Sequence, residues 1–286
     1  LRQEGYGIES VPNRGYRLTR VTARLRPEEL AEQFRDCRIG RELLCFDTID
    51  STNNELKRRA VSGTVDGTVI LADQQTGGRG RRGRSFVSPA GKGLYLSAAL
   101  RPRCPLSEIS TLTAWTAVAL CDAVEAACGV RPGIKWPNDI ILDRRKVCGI
   151  LTEAGTDMES GQLEWLVVGI GLNLTTSPAD WPEELARTAG SLYPGGPAPV
   201  SRAVLAGAIA RELLSLCPAF DCLDEYRARC FVPGHWVTVC TGTESYAAKA
   251  VAIDDAGRLI VQREGGRTEA LCHGEVSIRP SPLAVK

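Results

Sequence analysis

A chain of 286 residues, 43% hydrophobic and 24% charged, has the length for one large or two modest globular domains with a substantial core. Its net charge of +1 argues against a general polyanion binder, which needs a strongly basic face. The composition excludes a disordered chain, no apolar run approaches the ~20 residues of a membrane span, and the leading Leu-Arg-Gln-Glu lacks a signal peptide's apolar stretch. A cytoplasmic location is expected.

The eleven cysteines are scattered, odd in number and without a C-x-x-C pair, which indicates neither a disulfide framework nor a zinc site. With only His235 and His273 present, and no G-x-S-x-G or Walker A motif, the chemistry must rest on lysine, arginine, backbone and bound metal.

In chain order, Tyr6 to Leu18 reads as strand, turn, strand, with Pro12 to Gly15 as the turn. Pro27 to Arg38 reads as a short helix anchored by Leu30 and Phe34. Ser51, Thr52 and Asn53 then open a second helix reaching Ser62, where Thr52 and Glu55 have capping-box spacing.

Thr68 to Asp73 and Gly93 to Leu100 are β-rich runs joined by Gln75-Thr-Gly-Gly-Arg-Gly-Arg-Arg-Gly-Arg84. Glycine lets main-chain N–H groups approach a ligand closely, and arginine adds a fork of donors that suits carboxylate and phosphate. The stretch therefore reads as a flexible anion cradle, with a solvated basic loop or an RGG-like tract as the plain alternative.

Leu106 to Cys128 reads as a long core helix stopped by Gly129. In Lys135-Trp-Pro-Asn-Asp139, Pro137 interrupts a strand pattern and presents Asn138 and Asp139 in a turn. Asp143 to Arg145 is a hairpin turn that returns the chain to Lys146, which heads the β-rich run to Glu153. Only six of the 35 basic residues are lysines, so Lys146 in such a run reads as a compact, steerable charge, or else as a snorkelling strand-edge side chain.

Leu163 to Asn173 is an apolar strand in which Gly169 and Gly171 imply either a bulge or close ligand approach. Thr175 to Pro199, rich in Pro, Gly and Ser, reads as a mobile flap bearing Trp181. Helices are expected from Ser201 to Leu216 and from Asp221 to Cys230. After Pro233-Gly234, short strands run from Trp236 to Cys240, Tyr246 to Ile253, Arg258 to Gln262 and Ala270 to Ile278.

Ser51-Thr52-Asn53, the Gln75 to Arg84 stretch, Lys135 to Asp139, Lys146 to Glu153 and Gly169-Ile-Gly-Leu-Asn173 together resemble, in order and approximate spacing, the biotin protein ligases, the family that includes the bifunctional biotin operon repressors. The resemblance covers nearly the whole chain, to Gly274-Glu-Val-Ser-Ile-Arg279. It implies an α+β fold: a mixed β-sheet flanked by helices over residues 21–232, a small SH3-like β-barrel over 233–286, and a winged-helix remnant over 1–20.

The implied activity is formation of biotinyl-5′-AMP from biotin and ATP, then transfer to a lysine of a biotin carboxyl carrier domain. The implied biotin contacts are Ser51, Thr52, Asn53, Gln75, Gly78, Arg79, Gly80, Arg81, Lys146 and Gly149. Arg79, Arg81, Arg82, Arg84, Lys135, Asn138 and Asn173 face ATP, and Arg81, Lys135, Lys146 and Asp139 carry the chemistry. Mg²⁺ enters mainly on the ATP phosphates, with Asp139 as a candidate ligand. A homodimer is an open expectation, and DNA binding is not expected of this chain alone. A biotin-responsive repressor in a longer chain, and a lipoate or octanoate ligase or transferase of the related fold, are the alternatives.

Overall fold

The computed structural model describes residues 7–12, 15–20, 25–37, 42–63, 66–101, 109–156, 159, 163–215, 222–241, 244–272 and 274–278. His273, Arg279, the first turn of the helix expected from Leu106, and the end and beginning of the helices expected to reach Leu216 and to start at Asp221 lie outside them.

The leading hairpin pairs β1 (Gly7–Val11) with β2 (Gly15–Arg20) in antiparallel register. Helix α1 (Pro27–Phe34) starts on a proline whose missing N–H is not needed there, and it buries Leu30 and Phe34.

The central sheet has seven strands: β3 (Leu43–Ile49), β4 (Val69–Gln75), β5 (Gly93–Leu100), β6 (Gly133–Lys135), β7 (Asp139–Leu142), β8 (Arg145–Thr156) and β9 (Leu163–Asn173). Their order is β3-β4-β5-β9-β8-β7-β6, antiparallel except for β3 and β4, whose parallel pairing is joined through α2 (Thr52–Val61). The sheet is therefore mixed.

Side chains alternate between the two faces of a strand, and here the alternation separates core from site. Leu94, Leu96, Cys148, Ile150, Leu166, Val168, Ile170 and Leu172 join one buried core. That core also holds α3 (Ile109–Cys128), α4 (Arg202–Ser215) and α5 (Leu223–Arg229). The intervening positions Ser97, Gly149, Leu151, Gly169 and Gly171 belong to the opposite face. There α2 covers one end through Leu56, packed with Ile70, Ala99 and Val167, and the remainder forms a cleft floor.

By length and composition α3 is apolar enough to cross a membrane, which the sequence reading did not credit. In the fold 61% of its most apolar window is buried, with Leu112, Trp115, Val118 and Leu120 packed in the core. Its hydrophobicity serves packing.

The C-terminal segment is a five-stranded antiparallel sheet, SH3-like, in the order β13 (Thr268–Leu271), β12 (Leu259–Arg263), β11 (Ser245–Ile253), β10 (Trp236–Cys240), β14 (Glu275–Ile278). It is tied to the first sheet by Trp136 Nε1, which donates to Gly257 O at 3.0 Å, and to helix α5 by Arg227 Nε, which donates to Ile253 O at 3.0 Å.

Candidate active site

At the end of β3 the chain turns into α2 through Ser51, which is extended (φ −159°, ψ 132°) and whose Oγ accepts from Asn54 N at 3.5 Å. The capping hydroxyl is thus Ser51's and not, as the spacing implied, Thr52's. A capping residue must lie outside the helical region, and Thr52 is already the first helical residue. Glu55 is drawn instead to Arg58 and Arg59, at 2.8 Å each.

Thr52 is freed for the site. Its backbone N and its Oγ1 both donate to Gln75 Oε1, at 2.9 and 3.2 Å, and Gln75 Nε2 donates to Ser88 Oγ at 2.9 Å. Asn53 Nδ2 donates to Leu151 O at 3.2 Å and to Glu153 Oε2 at 3.0 Å. Ser97 Oγ lies 2.7 Å from Thr52 Oγ1 and 2.6 Å from Asn53 Oδ1, with one proton to give. Ser51, Thr52, Asn53, Ser88 and Ser97 are all buried, so this end of the cleft is polar and well shielded.

Gly169 is what admits Asn53: a Cβ at that position would lie 2.0 Å from Asn53 Oδ1. A Cβ on Gly171 would lie 2.6 Å from the Phe86 ring. Both glycines keep regular register with β5 and β8, so there is no bulge, and side chains of this chain fill the space. Gly169→Ala is expected to displace Asn53 and, by leaving its buried hydrogen bonds unmade, to destabilise the fold by about 1–3 kcal/mol. The thermal midpoint against wild type is the check.

Asp50 braces the helix entrance. The Arg58 guanidinium, donating at 3.2 and 3.3 Å, lowers its carboxyl to about 2 against a smaller upward push from burial. A depressed carboxylate pKa stabilises the fold above the unfolded value, near ~3.9, and that contribution disappears as pH falls to about 2. The difference in thermal midpoint between wild type and Asp50→Asn is expected to shrink across that window. A constant difference would remove the link.

The arginine stretch is a hydrogen-bonded turn and not an open cradle. Gly80 N donates to Arg84 O at 2.7 Å, Arg84 N to Arg81 O at 3.2 Å, and Phe86 N to Gly78 O at 2.8 Å. A Cβ on Gly78 would meet Phe86 O at 2.3 Å, so the turn closes only over glycine. The guanidinium groups then diverge. Arg79 Nη1 donates to Asn54 Oδ1 at 2.8 Å and to Glu153 Oε1 at 3.2 Å, while Arg81 Nη1 reaches across to Asn138 Oδ1 at 3.1 Å. Arg82 Nη1 donates to Cys240 O at 3.0 Å, in the C-terminal sheet.

The far wall begins at Lys135, the last residue of β6, followed by the Trp136–Asn138 turn with a cis Trp136-Pro137 bond. Asn138 is buried, and its Nδ2 donates to Ile150 O at 2.6 Å. Asp143 and Arg144, both at positive φ (49° and 63°), make a two-residue hairpin turn between β7 and β8, one residue shorter than the Asp143 to Arg145 turn expected, because Arg145 already opens β8. That turn returns Lys146 to Asp139, Nζ to Oδ1 at 2.6 Å. Asn173 is buried, with Nδ2 donating to Gly190 O at 3.0 Å and Oδ1 without a hydrogen-bond partner among the described residues.

These residues surround one open cleft of about 1330 Å³, above the ~300–1,000 Å³ of a single small-ligand pocket. Its walls carry Arg79, Arg81, Arg82, Arg84, Arg131, Lys135, Arg144 and Lys146 against Asp139 and Asp143. One end presents buried hydroxyls and amides, the other cations. Gly78 stands just behind the wall, beneath Phe86 and Ser88.

Sequence reading missed Phe86, whose ring lies over Gly171 and stacks edge-on with Tyr95, centroids 6.5 Å apart. The signal appears only with strand register: once β8 and β9 pair, Gly149 faces Gly171 and leaves room for the ring. It also missed Glu153, where burial pushes the carboxyl pKa up but hydrogen bonds from Lys57 and Asn53, together with the Arg79 charge, bring it below its usual value. Trp181 is buried and lines the cleft inside a stretch read as a mobile flap; Ser177 to Asp180 there form a capped turn.

A sheet face with a shielded polar pocket opening into a cationic cleft defines a class, and comparison with known proteins names it. Residues 45–173 match the biotin/lipoate A/B protein ligase family, and residues 234–279 match the biotin protein ligase C-terminal domain. The bifunctional ligase/repressor BirA of Bacillus spizizenii is 34% identical over 93% of this chain and 83% of its own length. A biotin–[acetyl-CoA-carboxylase] ligase of Mycobacterium tuberculosis is 34% identical over 88% of this chain and 97% of its own. Among solved structures, biotin protein ligase from Aquifex aeolicus in complex with biotin and ATP superposes with a TM-score of 0.67, at 28% identity over 84% of this chain and all of that one. The chain belongs to the biotin protein ligase family.

Proposed function

We propose that this chain is an ATP-dependent biotin–[acetyl-CoA-carboxylase] ligase, with the two ends of the one cleft serving its two small substrates. The observation that carries the reading is the continuity of the shielded polar pocket at Ser51, Thr52, Asn53 and the half-buried Gln75 with a wall bearing Arg81, Lys135 and Lys146. A ureido ring, with two N–H donors and one carbonyl, suits the first. A carboxylate and a triphosphate suit the second.

In the first step the biotin carboxylate oxygen attacks the α-phosphorus of ATP, the bond to the bridging oxygen breaks, and pyrophosphate leaves with biotinyl-5′-AMP formed. In the second, a lysine amine attacks the acyl carbon of that anhydride, loses its proton, and AMP leaves. The chain forms no covalent bond itself. Charge develops on the phosphoryl oxygens in the first step, so cations already held in place lower the barrier. Arg81, braced by Asn138, and Lys146, braced by Asp139, are set for that role. Lys135 and Arg84 supply further charge, and Asn173 offers a buried acceptor to an N–H of the nucleotide.

Mg²⁺ fits this cleft as a companion of the triphosphate. Asp139 is engaged by Lys146, and no cluster of three metal-ligating side chains occurs among the described residues. When bound, the ion neutralises phosphate charge.

The acceptor is the lysine of a biotin carboxyl carrier domain. A second reading, for a longer parent chain, draws on the N-terminal hairpin and on the bifunctional relatives: biotin-dependent dimerisation with DNA binding. Pyrophosphate exchange into ATP with biotin or lipoate tests the first reading. Exchange with biotin alone supports it, exchange with lipoate alone favours the lipoate ligase alternative, and no exchange with either overturns the catalytic assignment. A gel shift with operator DNA tests the second, which falls if biotin and ATP give no shift.

A further inference from the structure

Glu153 stands one layer behind the cleft, on β8 beyond Gly149 and Leu151. Its Oε2 accepts from Asn53 Nδ2 at 3.0 Å, while Oε1 accepts from Lys57 Nζ at 2.8 Å and from Arg79 Nη1 at 3.2 Å. With 19% of its side chain exposed, it is a largely enclosed carboxylate.

The consequence lies in Asn53. An amide has two N–H donors on one side and an acceptor on the other. Both Nδ2 donors are used, by Leu151 O and by the Glu153 carboxylate, each of which can only accept. Reversing the amide would set its oxygen against those two acceptors. The orientation is therefore imposed, with Oδ1 turned toward Gly169 and Ser97, where it holds a lone pair beyond the one Ser97 occupies. Through Oε1 the same carboxylate tethers Arg79, from the turn that closes this end.

We propose that Glu153 is a positioning residue that sets the hydrogen-bond polarity of the biotin pocket, fixing the Asn53 amide as an acceptor for a ureido N–H and holding Arg79 beside it. It acts through these two residues and touches no reacting atom. The proposal rests on reading the chain as a biotin ligase.

Glu153→Gln is the test. Glutamine is nearly isosteric but carries donors of its own, so it permits the reversed Asn53 amide, and it removes the charge that holds Arg79 and Lys57. In biotin-dependent pyrophosphate exchange the biotin KM is expected to rise about tenfold or more, the scale of one charged hydrogen bond, with the ATP KM and kcat within about twofold. A biotin KM within twofold of wild type overturns the proposal. So does an equal rise in both KM values, which marks general loosening of the fold. Should the glutamine variant not fold, Glu153→Asp carries the same test: it keeps the charge, withdraws the carboxylate by one methylene from Asn53, and is held to the same selective rise in biotin KM. Absence of biotin-dependent exchange in wild type would instead overturn the ligase reading itself, so the two failures are distinguishable.

Discussion

Arg81→Gly is expected to turn a ligase that keeps its adenylate into one that leaks it. Arg81 spans the cleft from the arginine turn to Asn138, whose own amide is anchored on Ile150. Removing it deletes one charged hydrogen bond, worth about 1.5–3 kcal/mol, or roughly ten- to 150-fold in release rate. Glycine also adds conformational freedom to a turn that must stay closed. The anhydride is labile in water, so early release diverts it to hydrolysis and to stray amines. The check is retention of labelled biotinyl-AMP on desalting, followed by labelling of an unrelated lysine-rich protein. Wild-type retention would remove Arg81 from the closing role.

Lys146→Ala is expected to have the largest effect on chemistry. Lys146 Nζ sits 2.6 Å from Asp139 Oδ1 on a strand whose neighbour Gly149 leaves the side chain room; a Cβ there would crowd Lys146 Cε at 3.1 Å. Loss of one fixed donor at a developing oxyanion costs about 10²–10³ in rate. On the proposed reading, the substitution also leaves the Asp139 carboxylate near the phosphates without its Lys146 counter-charge, which adds repulsion. Lys146→Ala with Asp139→Asn is therefore expected to recover part of the loss, a non-additivity that a double-mutant cycle in pyrophosphate exchange measures. A double variant no faster than Lys146→Ala alone would mean that Asp139 does not act through Lys146.

Local sequence determined the elements around the site. β-rich and apolar runs marked β5 and β9, the Asp143 to Arg145 turn marked the β7–β8 hairpin, and a helix was legible after Ser51 because a polar cap precedes an amphipathic run. The residues that meet in the cleft were also legible, as types: hydroxyls and amides near Ser51, arginines interleaved with glycine, and lysines in β-rich surroundings where lysine is scarce.

What the sequence could not disclose is which partner each of them takes, since that depends on strand register and on the face each residue occupies. Whether Gly169 and Gly171 mark a bulge or an approach is undecided along the chain. Across β5, β8 and β9 they become the slots for Asn53 and Phe86. Likewise Glu153 is one acid among many until β8 lies beside β9 and brings it to Asn53, Lys57 and Arg79, residues 100, 96 and 74 positions away. Period-two alternation is local and readable in sequence; hydrogen bonds between residues so far apart exist only once the sheet has set their register, and that decision belongs to the tertiary structure.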